Sequence, residues 1–187
     1  TNDDNFGLGV YVIFMLWVGL SMAQMSFIIS AWLIFNSVGQ IPAGIFADRY
    51  GYKTSLLIGS NIFFLGALIF ALGQNFFWLF IGFSLSGFGS AMKGGADLAL
   101  LYEHLKSENK EALYKKVVGK LEMYRNIFCV VTGMTGGLMY MYHARLPFYA
   151  ESVVAALGII VCIFLIEPPR TIKHFPVLKQ IKESIRY

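Results

Sequence analysis

Charge is scarce in this sequence. Asp, Glu, Lys and Arg make up 14% of its 187 residues, against about 25% in a soluble globular domain. Cysteine is nearly absent. Cys129 and Cys162 both lie inside apolar runs, so neither a disulfide framework nor a metal-ligand set is indicated. His104, His143 and His174 are far apart in the chain, and no metal site and no cofactor is expected. A G-x-x-x-x-G-K-S/T loop does not occur, so nucleotide hydrolysis is not encoded. No catalytic triad is spaced along the chain, and it does not read as an enzyme. The opening TNDDNFGLGV has neither a methionine nor a basic leader. It is not a signal peptide, and the chain is expected to be a fragment whose first helix is shortened upstream.

What the sequence does have is apolar length. Hydrophobic residues make up 57% of the chain and the mean hydropathy is +0.62. A membrane-spanning helix needs about 20 mostly apolar residues. Six runs are candidates: about 6–22, 25–46, 54–73, 76–101, 117–142 and 146–166. They are too long for barrel strands and show no alternation. The expected fold class is an all-α membrane protein, a six-helix transmembrane bundle over residues 1–169. Glu167-Pro168-Pro169 ends the last run, because proline lacks a donor and clashes with the preceding turn. In the tail, 170–187, Leu178, Ile181 and Ile185 share one helical face, as in an amphipathic helix lying on a membrane surface.

The few charges are sorted by side. Twelve of the fifteen basic residues fall in 48–53, 103–120 and the tail, and Arg145 alone in the alternate connections. The excess of Lys and Arg predicts a cytoplasmic position for those loops and for both chain ends. Such charge fits the headgroups of a lipid bilayer, and nothing points to a nucleic acid. Two sets of small residues, Gly82/Ser86/Ser90/Gly94 and Gly133/Gly137, recur every fourth position. They predict close helix–helix packing, or a surface along which helices slide.

One connection is specific. Residues 39–53 read GQIPAGIFADRYGYK. Gly44, Ala47, Asp48, Arg49, Gly51 and Lys53 fall in an order that resembles the loop signature of the major facilitator superfamily of transporters, roughly G-x-L-A-D-R-x-G-R-K. Phe46 and Tyr52 depart from it, and Tyr52 stands where a base is usual. The resemblance covers the whole chain and implies the N-terminal half of a twelve-helix transporter. Other signatures are weak: FFWLFIGFSLSG lacks an intramembrane Arg, and FCVVTGMTGG keeps only Gly136-Gly137 of an antiporter pattern.

The resemblance implies a gate built on Gly44, Asp48, Arg49, Gly51 and Lys53, with Asp97 or Glu103 as ionic partners of Arg49 and Lys53. A bland alternative is a turn that also sets topology. Polar groups inside apolar runs are costly, so each needs a reason. Asp3 and Asp4 are read as proton acceptors or a solvated terminus, and Lys93 as snorkelling or touching substrate. Glu122 and Arg125, three apart, are read as a structural pair. Glu151 is read as solvated at the interface, with proton coupling as the alternative. Asn36, Gln40 and Asn61 are expected to bond between helices.

The implied activity is secondary transport of a small solute by alternating access, coupled to protons, in the plasma (inner) membrane. A second six-helix half is needed, from the same polypeptide or from a homodimer. The alternatives are a half-size homodimeric transporter or a non-transporting receptor or scaffold module of the same fold.

Overall fold

A computed structural model of the chain describes residues 8–165. Every described element is helical: α1 (Leu8–Trp17), α2 (Met22–Tyr50), α3 (Tyr52–Leu72), α4 (Phe76–Gly94), α5 (Ala96–Ser107), a 3₁₀ turn (Glu111–Leu113), α6 (Tyr114–Tyr142) and α7 (Leu146–Phe164). Three of them, α2, α3 and α7, are long and apolar enough to cross a membrane. The all-α expectation holds, but the six runs do not all reach that measure. Only ten residues of α1 are described. In α4 the apolar residues are diluted by Gly and Ser. In α6 the first turns carry Lys115, Lys116, Lys120, Glu122 and Arg125. The tail and Glu167-Pro168-Pro169 lie outside the described residues.

Local chemistry sets the helix ends. Ser21 accepts the Gln24 amide at 3.3 Å, and the Gln24 side chain accepts the Ser21 amide at 2.9 Å. This reciprocal cap satisfies two otherwise orphaned donors and starts α2. Asn75 caps α4 by accepting the Trp78 amide at 3.2 Å. The run at 76–101 is not one helix. It breaks at Gly95, between α4 and α5, where the Gly94-Gly95 pair gives the weakest local helix propensity.

The organising contact is between α3 and α4. A Cβ at Gly66 would stand 2.5 Å from the Ser86 amide nitrogen, and one at Gly82 would stand 2.6 Å from that of Phe70. At Gly89 it would stand 2.5 Å from the Phe63 nitrogen. The two backbones are therefore in direct contact over successive turns. On the adjoining face of α4, a Cβ at Gly87 would meet the Trp32 carbonyl of α2 at 2.8 Å. The packed positions are 82, 86 and 89, not 82, 86, 90 and 94. A helix turns about 100° per residue, so every four-residue step drifts about 40°. Ser90 and Gly94 have rotated off α3 and line a cavity instead. At Gly133 and Gly137 of α6, a Cβ would meet nothing within 4 Å. Those two glycines pack against no described neighbour.

At the end of the bundle away from the 48–53 turn, rings from four helices close the core. Phe14 of α1 lies 4.5 Å from Phe148 of α7, and Tyr11 lies 5.3 Å from Phe70 of α3 and 5.2 Å from Phe83 of α4. Arg145 closes this end. Its Nη1 donates to the Leu72 carbonyl at 3.1 Å and its Nη2 to the Gly73 carbonyl at 3.2 Å. Its guanidinium lies 5.8 Å from the Trp17 ring. A cation here satisfies the open carbonyls and the dipole at the C-terminus of α3. Counting charges by side does not reveal this role, because its partners are backbone atoms more than seventy residues away.

Two measurements check this packing. Gly89→Ala should destabilise the protein by about 1–3 kcal/mol through overpacking, whereas Gly133→Ala in the same chain should stay within roughly 0.5 kcal/mol; thermal unfolding in detergent compares them. Arg145→Lys should not restore the stability lost in Arg145→Ala, because one ammonium cannot reproduce the two-pronged donation to Leu72 and Gly73. Equal melting temperatures for Arg145→Lys and the unaltered protein would refute the clamp.

Candidate functional site

The Gly44–Lys53 segment comprises the last turns of α2, a one-residue turn at Gly51 and the start of α3. Gly51 ends α2 and precedes α3, with φ 104° and ψ 150°. That conformation is open essentially to glycine alone, which explains why the turn can be one residue long. The Gly51 amide donates to the Ala47 carbonyl at 3.0 Å. Beneath the turn, Ala47, Leu56, Ala96 and Leu100 form a small core, with Tyr52, Cys162 and Leu165 packed against it. Tyr52 thus does apolar work where a base would have to stay solvated.

Behind the turn lies a cavity of about 500 Å³ between α2, α4, α5 and α6. Its polar wall comes from Asn36, Gln40, Asp48, Tyr52, Ser90 and Arg125. The volume falls within the ordinary range for small-molecule sites. Asn36 donates to the Gly87 carbonyl at 3.4 Å, and Gln40 donates to the Asn36 side chain at 3.5 Å. One of the expected interhelical amides is therefore present in Asn36. Asn61 instead donates to the Leu57 carbonyl at 2.8 Å, within its own helix.

The structure does not pair the turn's bases with Asp97 or Glu103. Lys53 donates its Nζ to the Ile163 carbonyl at 2.8 Å, capping the last turn of α7. Arg49 lies over the Tyr50 ring, 5.3 Å from its centroid. Asp97, just past the Gly95 break, accepts the Leu98 amide at 2.7 Å. Glu103 forms no ion pair among the described residues. The physical reason lies in helix rotation. Lys53 occupies the first turn of α3 on the side facing α7, and the break at Gly95 starts Asp97 on a new helix. Asp48 is exposed on the cavity wall.

The other candidates scatter. Glu122 and Arg125 form their ion pair at 2.6 Å. Lys93 is 3.8 Å above the Phe63 ring, a cation–π contact that lets a lysine stay among apolar helices. Glu151 is buried, not solvated. Tyr11 donates to it at 2.5 Å from across the bundle, a partnership that sequence separation hides. Asp3 and Asp4 lie outside the described residues. Sequence reasoning missed Ser90 and Tyr52 as cavity-lining groups. The slow drift of a four-residue repeat was the available signal for Ser90.

In the connector after α5, the Lys110 ammonium donates to the Glu108 carboxylate at 2.7 Å. That bond, the Lys110 charge and then the His104 charge hold the Glu108 carboxyl below its usual range.

Comparison with known proteins gives this geometry a context. The pattern of the Major Facilitator Superfamily matches residues 4–186. The probable vesicular acetylcholine transporter-A of Danio rerio is 29% identical over 180 residues, covering 95% of this chain and 32% of that protein. The vesicular acetylcholine transporter of Torpedo marmorata is 29% identical over 126 residues, covering 67% of this chain and 24% of that protein. An uncharacterized transporter of Buchnera aphidicola is 40% identical over 73 residues, covering 39% of this chain and 18% of that protein. The chain thus spans about a third or less of the length of these relatives.

A carboxyl whose folded-state pKa is lowered contributes stability above its unfolded pKa and loses it as pH falls through the folded value. The 108–110 turn should therefore loosen on acidification below the usual glutamate range. In Lys110→Met the Glu108 titration should move back up toward that range. Side-chain NMR titration of Glu108 would show it, and an unmoved midpoint would refute the assignment.

Proposed function

The chain belongs to the Major Facilitator Superfamily, and from that premise we propose that it is the N-terminal six-helix half of a secondary transporter that moves a small solute by alternating access. Membership makes it an integral membrane protein of a transporter family and not an enzyme. The observation that carries the reading further is the placement of the motif turn against a cavity of about 500 Å³ whose wall includes Asp48, Arg125 and several neutral polar groups. Such a cavity can hold a small solute between helices that are free to rock. Because the relatives are named for acetylcholine, a small organic cation is the first substrate class to test. Proton coupling is part of the proposal.

In this reading α1 to α4, α6 and α7 are the six spans, with α5 and the 3₁₀ turn as their cytoplasmic connector. The basic loops face the cytoplasm, as they would in either a plasma or a vesicular membrane. The second half comes from the same polypeptide, as the greater length of the relatives favours, and covers the open face of α6. There Gly133 and Gly137 meet nothing, and Phe128, Met134, Leu138 and Met141 are exposed.

The gate is proposed in a revised form. Lys53 ties α3 to α7 inside this half. Asp48 is left to accept donors from a helix N-terminus of the other half when the cytoplasmic side is closed, where orphaned amides and the dipole favour an anion. Asp97 and Glu103 lie on α5, past the Gly95 break. Arg49 contributes its charge beside the Tyr50 ring.

Asp48→Asn in the full-length protein keeps the shape and removes the charge. It should shift the ratio of inward- to outward-open protein by about 5–150-fold, the span of a coupling of about 1–3 kcal/mol. Accessibility labelling from the two sides of a vesicle reads the ratio, and an unchanged ratio with unchanged uptake would sink the gate.

A further inference from the structure

We propose that Glu151 is a proton-binding site, and that its protonation state sets how firmly α7 holds α1. The proposal deepens the transporter reading and rests on it.

Glu151 sits in the second turn of α7, only 7% exposed. Tyr11 of α1 donates its phenol O–H to Glu151 Oε2 at 2.5 Å, at the short end of the range for a hydroxyl donating to a carboxylate. Aromatic rings surround the pair. The Tyr11 ring lies 5.3 Å from Phe70, 5.2 Å from Phe83 and 5.0 Å from Phe148. The cavity described above lies near the opposite end of α2 and α4. The site and the solute cavity are therefore separate places in the bundle.

Among the described residues, the titratable and charged groups on the surrounding helices are as follows. From α1 it is Tyr11 itself. From α6 it is Tyr140, whose phenol donates to the Ile13 carbonyl at 3.5 Å. From the α6–α7 connection they are Arg145, engaged by the α3 carbonyls, and His143, whose Nδ1 accepts the Arg145 amide at 3.2 Å. At this level α3 and α4 contribute Phe70 and Phe83, which do not titrate. Among the described residues at this level, Glu151 is the buried carboxyl.

The step is a simple one. With Glu151 ionised, the Tyr11 hydroxyl makes a charge-assisted bond, roughly twice as strong as its neutral counterpart. When a proton from water binds a carboxylate oxygen, the charge is cancelled and the bond to Tyr11 becomes neutral to neutral. The same proton returns to water when the carboxyl ionises again, and no other bond changes. The link weakened by protonation joins residues 140 positions apart, the first and last described helices of this half. Movement of α1 relative to α7 is thereby made dependent on a proton.

The test uses the full-length protein in lipid vesicles without substrate. A pH-difference infrared spectrum should show a carboxyl C=O band that is lost in Glu151→Gln and moved in frequency in Tyr11→Phe. An unchanged band in folded Glu151→Gln overturns the site. If Glu151→Gln does not fold, Tyr11→Phe decides alone: a moved band supports the site and an unmoved one overturns it. Spin labels on α1 and α7 should give a distance distribution that broadens on acidification in the unaltered protein and not in Glu151→Gln. A distribution independent of pH in the unaltered protein overturns the control of α1. Solute uptake by the same vesicles is read separately. No uptake alongside an intact band would count against the transporter reading and leave the proton site standing.

Discussion

The direct approach of the α3 and α4 backbones sets the rest of the bundle. With no side chain at Gly66, Gly82 or Gly89, the two helices meet at distances that a Cβ would forbid. Among helices that are apolar on nearly all sides, exclusion of water does little to choose one partner over another. Shape and dispersion contacts decide instead. The small residues of α4 do so on two faces at once, toward α3 through Gly82 and Gly89 and toward α2 through Gly87. Once α4 is fixed between them, the aromatic rings of α1 and α7 have a surface to close upon.

The two ends of the bundle are built by different means. At the motif end a one-residue turn at Gly51 brings α2 and α3 together, and Lys53 fastens α3 to α7. Rigid small-residue packing there leaves a cavity beside it rather than filling the space. At the other end Arg145 gathers α1, α3 and the start of α7, and aromatic rings from α1, α3, α4 and α7 pack together.

Much of the candidate site was legible in order but not in pairing. The spacing from Gly44 to Lys53 identified the family and the turn. It did not reveal that Lys53 would reach a backbone carbonyl of α7 instead of an acid, because a carbonyl leaves no mark on the sequence. Glu122 and Arg125 were legible because helical spacing alone brings them together. Glu151 was misread as solvated because its partner, Tyr11, is 140 residues away. An acid one turn from a helix end looks the same in sequence whether it faces water or a phenol.

The sequence by itself determined that the chain is helical and membrane-embedded, where α2, α3, α4, α6 and α7 begin to within about three residues, and which family it joins. Those properties follow from composition, capping residues and local spacing, all of which act within a turn or two. Tertiary structure alone decided that four-residue repeats drift off their partner after two turns, that the long fourth run breaks at Gly95, and which charges meet. Rotation about a helix axis settles each of these. A residue's facing depends on the accumulated turn of the whole helix against its neighbours, and that becomes fixed only when the backbones of α3 and α4 touch.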